Sequence, residues 1–407
     1  MRNKLKIIND PIYGLITLSD EIIFDLIEHP YFQRLRRISQ TALTSMVYPG
    51  AKHTRFQHAI GAMHLTKEAI SVLRTKGQDI SDEEEIATLI AILLHDIGHG
   101  PYSHALEHSI VPDVHHESIS LLFMNKLNNE FAGKLTMAIS IFKDNYEKPF
   151  LHQLVSSQLD MDRLDYINRD SFFCNIREAS INSKRLITML NVVNGNLAIE
   201  DKGIYSVENF LMARRLMYWQ VYLHKTVIVS ENLLTLALKR ARYVISGGMD
   251  LFASSSFKHF LKKNWQKEGF TERDLELFAR LDDYDVLGAI KEWTHCDDKI
   301  LSDLSKRIVN RQLFKIKLGD EIIDKAKVEE LKYKVSQKLN ISFEDASYYI
   351  TSGKVENKAY SKGHENIYLL KKDGDVQDIA FSPDQQSISA ISELMKKYYL
   401  IYPRELE

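Results

Sequence analysis

Cysteine is scarce: the 407-residue chain holds only Cys174 and Cys296, far apart and in no CxxC arrangement. That argues against a disulfide framework and against a thiolate metal cage, and it fits a reducing cytoplasm. An excess of charge of one sign is also missing. Lys plus Arg number 53 against 55 for Asp plus Glu, a formal charge of -2, so no global field marks a nucleic-acid binder and any anion site must be local. Nor is there a long hydrophobic run. The longest, residues 86–94, is about half of the roughly 18 residues a membrane span needs, and it ends in His95-Asp96, as a buried helix would. The opening MRNKLKIINDPIYG meets Asn9, Asp10 and Pro11 before any apolar stretch develops, which argues against a secretory signal. Internal repeats and low-complexity tracts are absent from the sequence.

What is present is an ordinary globular composition, 44% hydrophobic and 27% charged. At this length a single core usually stops growing, so a large lobe with a smaller appendage is expected. Gly247-Gly248 and Ser254-Ser255-Ser256 place the boundary near residue 250. Residues 5–19 form an extended piece broken by Asp10-Pro11 and Gly14, and helical periodicity then runs from Glu21 to about residue 245. Thr54-x-x-Gln57 and Ser81-x-x-Glu84 are capping-box patterns that start two helices. Asn194-Gly195, between Val192-Val193 and Leu197-Ala198-Ile199, predicts a peripheral hairpin. Beyond residue 250 the pattern predicts helices over 321–339 and 386–399 and a hairpin about Asp373-Gly374. The expected fold class is mostly α: a helical core over 1–250 with small hairpins, then an α+β lobe over 251–407.

The chemistry concentrates in His95-Asp96-Ile97-Gly98-His99-Gly100. A buried helix ending in adjacent imidazole and carboxylate must satisfy both, because an unpaired polar group there costs a few kcal/mol. For a lone His-Asp pair a mutual hydrogen bond would be the better explanation. This pair is not alone. His58 lies at another helix start, His99, His104 and His116 crowd the same region, and Asp162 follows. Imidazole and carboxylate ligands suit Mn, Fe, Ni, Co or Zn, and the lack of thiolates points away from a closed structural zinc site.

The stretches NDPIYG (9–14), FQRLRR (32–37), YPGAKHTRFQHAIG (48–61), LLHDIGHGPYSH (93–104), HHES (115–118), DMDRLDYINRD (160–170) and VYLHK (221–225) together resemble the HD phosphohydrolase superfamily. Within it they are most similar to the dNTP triphosphohydrolase branch, which includes the human sterile-alpha-motif HD protein and bacterial dGTPases. The resemblance covers about residues 5–240 and implies a helical HD core with the metal on His58, His95, Asp96 and Asp162. Asp160 competes for the last position, and the family motif selects the second Asp of DMD.

By the same resemblance His104, His116 and His99 are candidate proton donors, since an imidazole of ordinary pKa about 6.5 can donate near neutrality. Glu107 or Glu117 would hold such an imidazole charged. Arg55, Arg163, Arg214 and Lys225 match phosphate-contacting positions, and Gln40, Tyr166, Asp170 and Tyr222 match residues around a deoxyribose. After Gln40 the branch often has Leu followed by glycines, where this chain has Thr41-Ala42-Leu43-Thr44-Ser45.

Relatives imply a homo-oligomer and an activating nucleotide near Asn9, Glu28 and Arg36. The implied reaction is hydrolysis of a dNTP to a deoxynucleoside and triphosphate, with Mg as a further ion accompanying the nucleotide. Two alternatives stand beside it: an HD phosphatase or phosphodiesterase acting on another nucleotide, and a non-catalytic nucleotide- or nucleic-acid-binding regulator. A neutral overall charge gives the nucleic-acid option no support.

Overall fold

The computed structural model describes residues 6–18, 20–265, 268–358, 360, 366–381 and 393–406. Helices dominate, with three small sheets among them. Strands β1 (Lys6–Asp10) and β2 (Gly14–Leu18) form the first, an antiparallel hairpin with Asp10 opposite Gly14. Asp10 builds the turn: its Oδ1 accepts from the Ile12 and Tyr13 amides at 2.8 and 3.0 Å. Gly14 takes φ +75°, which a side chain would resist. Ile16 and Leu18 point inward and Leu15 outward, the period-two alternation of a half-buried strand.

Both expected helix starts form. Thr54 N donates to the Gln57 side-chain oxygen at 2.8 Å and opens the helix Arg55–Thr75. Ser81 Oγ accepts from Glu84 N at 3.2 Å while the Glu84 carboxylate accepts from Ser81 N at 2.8 Å, opening Asp82–Leu94. That second helix is buried at every residue from Ala87 to Leu94. Each such Leu or Ile contributes about 1.5–3 kcal/mol on burial, so the greasy half drives inward and carries His95 and Asp96 with it.

Two glycines set how these elements cross. A Cβ on Gly61 would lie 2.1 Å from Asp165 Oδ1 and 2.2 Å from Arg169 Nη2, so only hydrogen there lets Arg55–Thr75 pack against the helix Met161–Cys174. A Cβ on Gly98 would meet His116 O at 2.2 Å and Ser120 N at 2.3 Å, so the turn after Asp96 sits directly on the start of His116–Glu130.

The Asn194-Gly195 hairpin forms between β3 (Leu190–Val193) and β4 (Asn196–Glu200), with φ of +51° and +77° at its two turn residues. It does not stay isolated. In the later chain β5 (Lys315–Gly319) and β6 (Thr351–Asn357) come first, then β7 (Tyr368–Leu370) and β8 (Val376–Asp378), and last β9 (Met395–Tyr402). Strand β7 joins β4 in parallel and pairs antiparallel with β8 through the expected Asp373-Gly374 turn, giving the order β3-β4-β7-β8. The predicted helix over 321–339 is observed as Lys325–Leu339.

The predicted helix over 386–399 is corrected. Residues 395–399 belong to β9, the central strand of the sheet β5-β9-β6, and residues 386–392 lie outside the described residues. The run Tyr398-Tyr399-Leu400-Ile401-Tyr402 suits a pleated surface, and pairing on both edges overrides a weak helical period. One hydrophobic cluster continues from Ile16 to Tyr402. Residues past 250 brace the loops around the site. Buried Arg34 donates to Leu281 O at 3.1 Å and to Ile97 O at 2.7 Å, and Asp283 accepts from Ser39 N at 2.9 Å and Tyr102 N at 2.7 Å.

Candidate metal centre

His58 stands in the first turns of its helix, facing Met161–Cys174. Its Nδ1 lies 2.7 Å from Asp165 Oδ2 and, opposite a carboxylate, must carry the proton. Asp165 is in turn gripped by Arg169, whose Nε and Nη2 donate to its two oxygens at 2.9 Å each, and Arg169 Nη1 donates to Asp10 Oδ2 at 2.8 Å. This buried relay aims the Nε2 of His58 at the site. His95 is set in the same way: its Nδ1 is 2.6 Å from Ile92 O and can only donate there, so Nε2 presents a lone pair.

Both Nε2 atoms are buried without a hydrogen-bond partner among the described residues. His58 Nε2 is 3.0 Å from Asp162 Oδ1 and 3.6 Å from Asp96 Oδ2, and His95 Nε2 is 3.4 Å from Asp162 Oδ1 and 3.4 Å from Asp96 Oδ1. A cation with bonds of about 2.1 Å separates its ligands by roughly 3.0 Å in an octahedron and 3.4 Å in a tetrahedron. The orphaned nitrogens and the donor spacing therefore fit one divalent transition metal. His58, His95 and Asp162 also form a group whose donor atoms all lie within 4.8 Å of one another. Burial opposes charge on His58, yet Asp162 and Asp165 outweigh it and push the imidazole up to about 10. Burial likewise opposes charge on Asp162, but His58 and His95 hold its carboxyl well below the usual range. A bound cation would take over the neutralising work of those protons.

The two aspartates of DMD divide their tasks. Asp160 caps its helix, accepting from Arg163 N at 2.7 Å and Ser157 N at 2.8 Å, and its Oδ2 pairs with the Arg163 guanidinium. It is fully buried with its oxygens engaged, and only Asp162 reaches the imidazoles.

A model of the HD domain matches residues 55–164, and one of an HD associated region matches residues 181–250. The crystal structure of a phosphohydrolase from Bacteroides thetaiotaomicron is 49% identical, covers 98% of this chain and all of that one, and superimposes with a TM-score of 0.95. This chain belongs to the HD-domain phosphohydrolases. The protein YwfO of Bacillus subtilis is 29% identical over 98% of this chain and 93% of its own. A deoxynucleoside triphosphate triphosphohydrolase SAMHD1 homolog of Dictyostelium discoideum is 32% identical over 55% of this chain and 47% of that protein. HD domains bind divalent metals, in keeping with the donor set described.

The HD ligands open on a cavity of about 760 Å³, within the usual range for small-molecule sites. His99, His104 and His116 lie on its wall beside His95, Asp96 and Asp162. Glu107 stands behind, joining two imidazoles: its Oε2 is 3.0 Å from His104 Nδ1, and its Oε1 is 2.8 Å from His116 Nδ1 and from His116 N. Burial opposes the Glu107 charge, but these bonds hold its carboxyl far below the ordinary value. Glu107, rather than Glu117, therefore orients both histidines. His99 stacks on His116 at 3.9 Å, and burial and then Arg55 hold its imidazole well below its ordinary value, hence uncharged.

Arg55, Arg163 and Arg214 supply cations to the wall, whereas Lys225 is exposed and off it. Arg55 binds Asp96 through Nη1 and Ser103 Oγ at 3.0 Å through Nε, which braces a metal-ligand carboxylate. Gln40, Tyr166, Asp170 and Tyr222 also line the cavity. Asp170 accepts from Tyr222 Oη at 2.6 Å and meets His53 Nε2 at 2.6 Å. A π-helical turn, Tyr218–Tyr222, brings Tyr218 to the same wall, with ring centroids 5.2 Å from Tyr222.

Sequence reasoning passed over His53, Asp165, Arg169, Ser103 and Tyr218. The first four lie inside or beside motif stretches, and that adjacency was the available signal. For Tyr218 there was none, because a π turn has no local signature.

Proposed function

We propose that this HD phosphohydrolase hydrolyses deoxynucleoside triphosphates at the α-phosphorus, releasing a deoxynucleoside and triphosphate. The observation that carries the reading is one chamber lined by His95, Asp96 and Asp162, with His58 grouped behind them, by the Glu107-linked histidines and by three arginines. Its similarity to the SAMHD1 homolog supports the choice of substrate.

His58, His95, Asp96 and Asp162 would hold one ion of Mn, Fe, Ni, Co or Zn, which would supply Lewis-acid activation of the attacking water. Arg163 and Arg214 neutralise phosphate oxygens. Arg55 does so with the N–H groups that Asp96 and Ser103 leave over. The Glu107-linked pair, His104 and His116, protonates the leaving alkoxide, each holding a proton on Nδ1 against the carboxylate and turning Nε2 to the chamber. His99, kept neutral, packs the pair and contacts phosphate. Tyr166, Gln40 and the Asp170-tethered Tyr222 enclose the sugar.

A second reading, a phosphatase or phosphodiesterase on another nucleotide, is favoured by one feature. Ala42 and Thr44 put side chains on the wall where the branch it resembles often has glycines. Incubating Mn-loaded protein with a nucleotide panel and identifying the inorganic product separates the two. Tripolyphosphate supports the first, orthophosphate or pyrophosphate supports the second, and no turnover counts against both. The two-lobe division near residue 250, a homo-oligomer, an effector nucleotide near Asn9, Glu28 and Arg36, Mg on the nucleotide and a cytoplasmic location complete the proposal. No helix among the described residues is long and apolar enough to cross a membrane.

A further inference from the structure

The helix Lys225–Ser246 reaches the cavity wall with Val227 and Glu231, which stand one turn apart and so share a face. Thr41, Ala42 and Thr44, from the loop after Gln40, and Ala105 line the same cavity. The helix runs close to Ala105: Thr235, one turn beyond Glu231, places Oγ1 3.4 Å from the Ala105 carbonyl. Along this helix the residues one turn to either side, Val227 and Thr235, are apolar and hydroxyl-bearing, a surround without charge.

Glu231 is foreign to it. Among the described residues no hydrogen bond and no ion pair reaches its carboxyl, and burial alone pushes it up to about 7, with no cation and no donor offsetting the cost. Half-buried and without a protein partner, the carboxyl is left to pair with what the chamber binds. In its charged form it repels phosphate oxygens, which the arginines of the chamber already serve. With the sugar enclosed by Tyr166, Gln40 and Tyr222, a planar group that offers N–H suits it.

We infer that Glu231 reads the base of the nucleotide, accepting a hydrogen bond from the exocyclic amino group of adenine, guanine or cytosine. Thymine and uracil lack that amino group, and their single N3–H is flanked by two carbonyl oxygens that oppose the carboxyl oxygens. This inference rests on the nucleotide reading of the site. It gives a chemical role to a residue that none of the motif stretches contains.

The test measures kcat/KM for dATP, dGTP, dCTP and dTTP with Mn-loaded wild-type protein and with Glu231→Leu, alongside calorimetric binding of non-hydrolysable analogues. The wild type should favour at least one amino-bearing nucleotide over dTTP by roughly tenfold, the scale set by leaving one buried polar group unpaired. In Glu231→Leu that ratio should fall to within about twofold in both turnover and binding. If the Leu variant fails to fold, the isosteric Glu231→Gln replaces it, and its base ratio must move at least about threefold from the wild type. An unchanged ratio in a folded variant, or a wild type indifferent to the amino group, overturns the assignment. A wild type that turns over none of the four refutes the dNTP reading, and the assignment falls with it.

Discussion

Replacing Asp165 by Asn tests whether the metal ligands are aimed from behind. Asp165 touches no part of the cavity, yet His58 Nδ1 and two nitrogens of Arg169 end on its oxygens, with all three side chains 0% exposed. Asn keeps the shape but offers one acceptor oxygen for these donors and turns an N–H towards whichever it does not serve. Breaking a buried ion pair typically costs about 3–5 kcal/mol. Arg169 keeps its 2.8 Å bond to Asp10, so the lower end, about 3 kcal/mol, is expected for the metal-free protein.

The effect on the metal is separate. Loss of the carboxylate partner of a ligating histidine weakens binding by about 10–100-fold, or about 1.4–2.7 kcal/mol. Calorimetric titration of Mn measures this directly. Thermal unfolding with and without Mn gives a second reading, because a tenfold weaker ion stabilises the folded state by about 1.4 kcal/mol less. A folded Asp165→Asn protein whose Mn affinity stays within about twofold of the wild type would refute the reasoning.

Three further outcomes are expected. Asp162→Ala should abolish metal binding and hydrolysis together, and full metal content in that variant, read by elemental analysis, would remove Asp162 from the ligand set. His116→Ala should retain metal and slow the chemical step about a hundredfold or more, seen in single-turnover kinetics. Ala42 sits at φ +46° on the cavity wall. Ala42→Gly should therefore stabilise the fold by about 1 kcal/mol in denaturant titration, and a destabilised variant would show that the methyl's packing outweighs its backbone strain.

What the chain's order of residues determined alone was everything with a short-range cause. The capping boxes at Thr54 and Ser81 and the turns at Asp10 and Asn194-Gly195 are written within a few residues, and they formed. The greasy helix that carries His95 and Asp96 inward was legible from its pattern, and the candidate ligand set only through the family its motifs resemble. Tertiary structure alone decided which groups stand behind the ligands. His58 and Asp165 are 107 positions apart, and the Gly61 crossing brings them to 2.7 Å. Glu107 was legible as a neighbour of His104, but that it also holds His116 required the loop to fold back. The strand β9 gained its state from two partners far away in sequence, and Glu231 gained its isolation from the wall around it. Periodicity and capping act over one or two turns of chain, whereas burial, orphaned donors and shifted proton affinities belong to surfaces that only packing brings together.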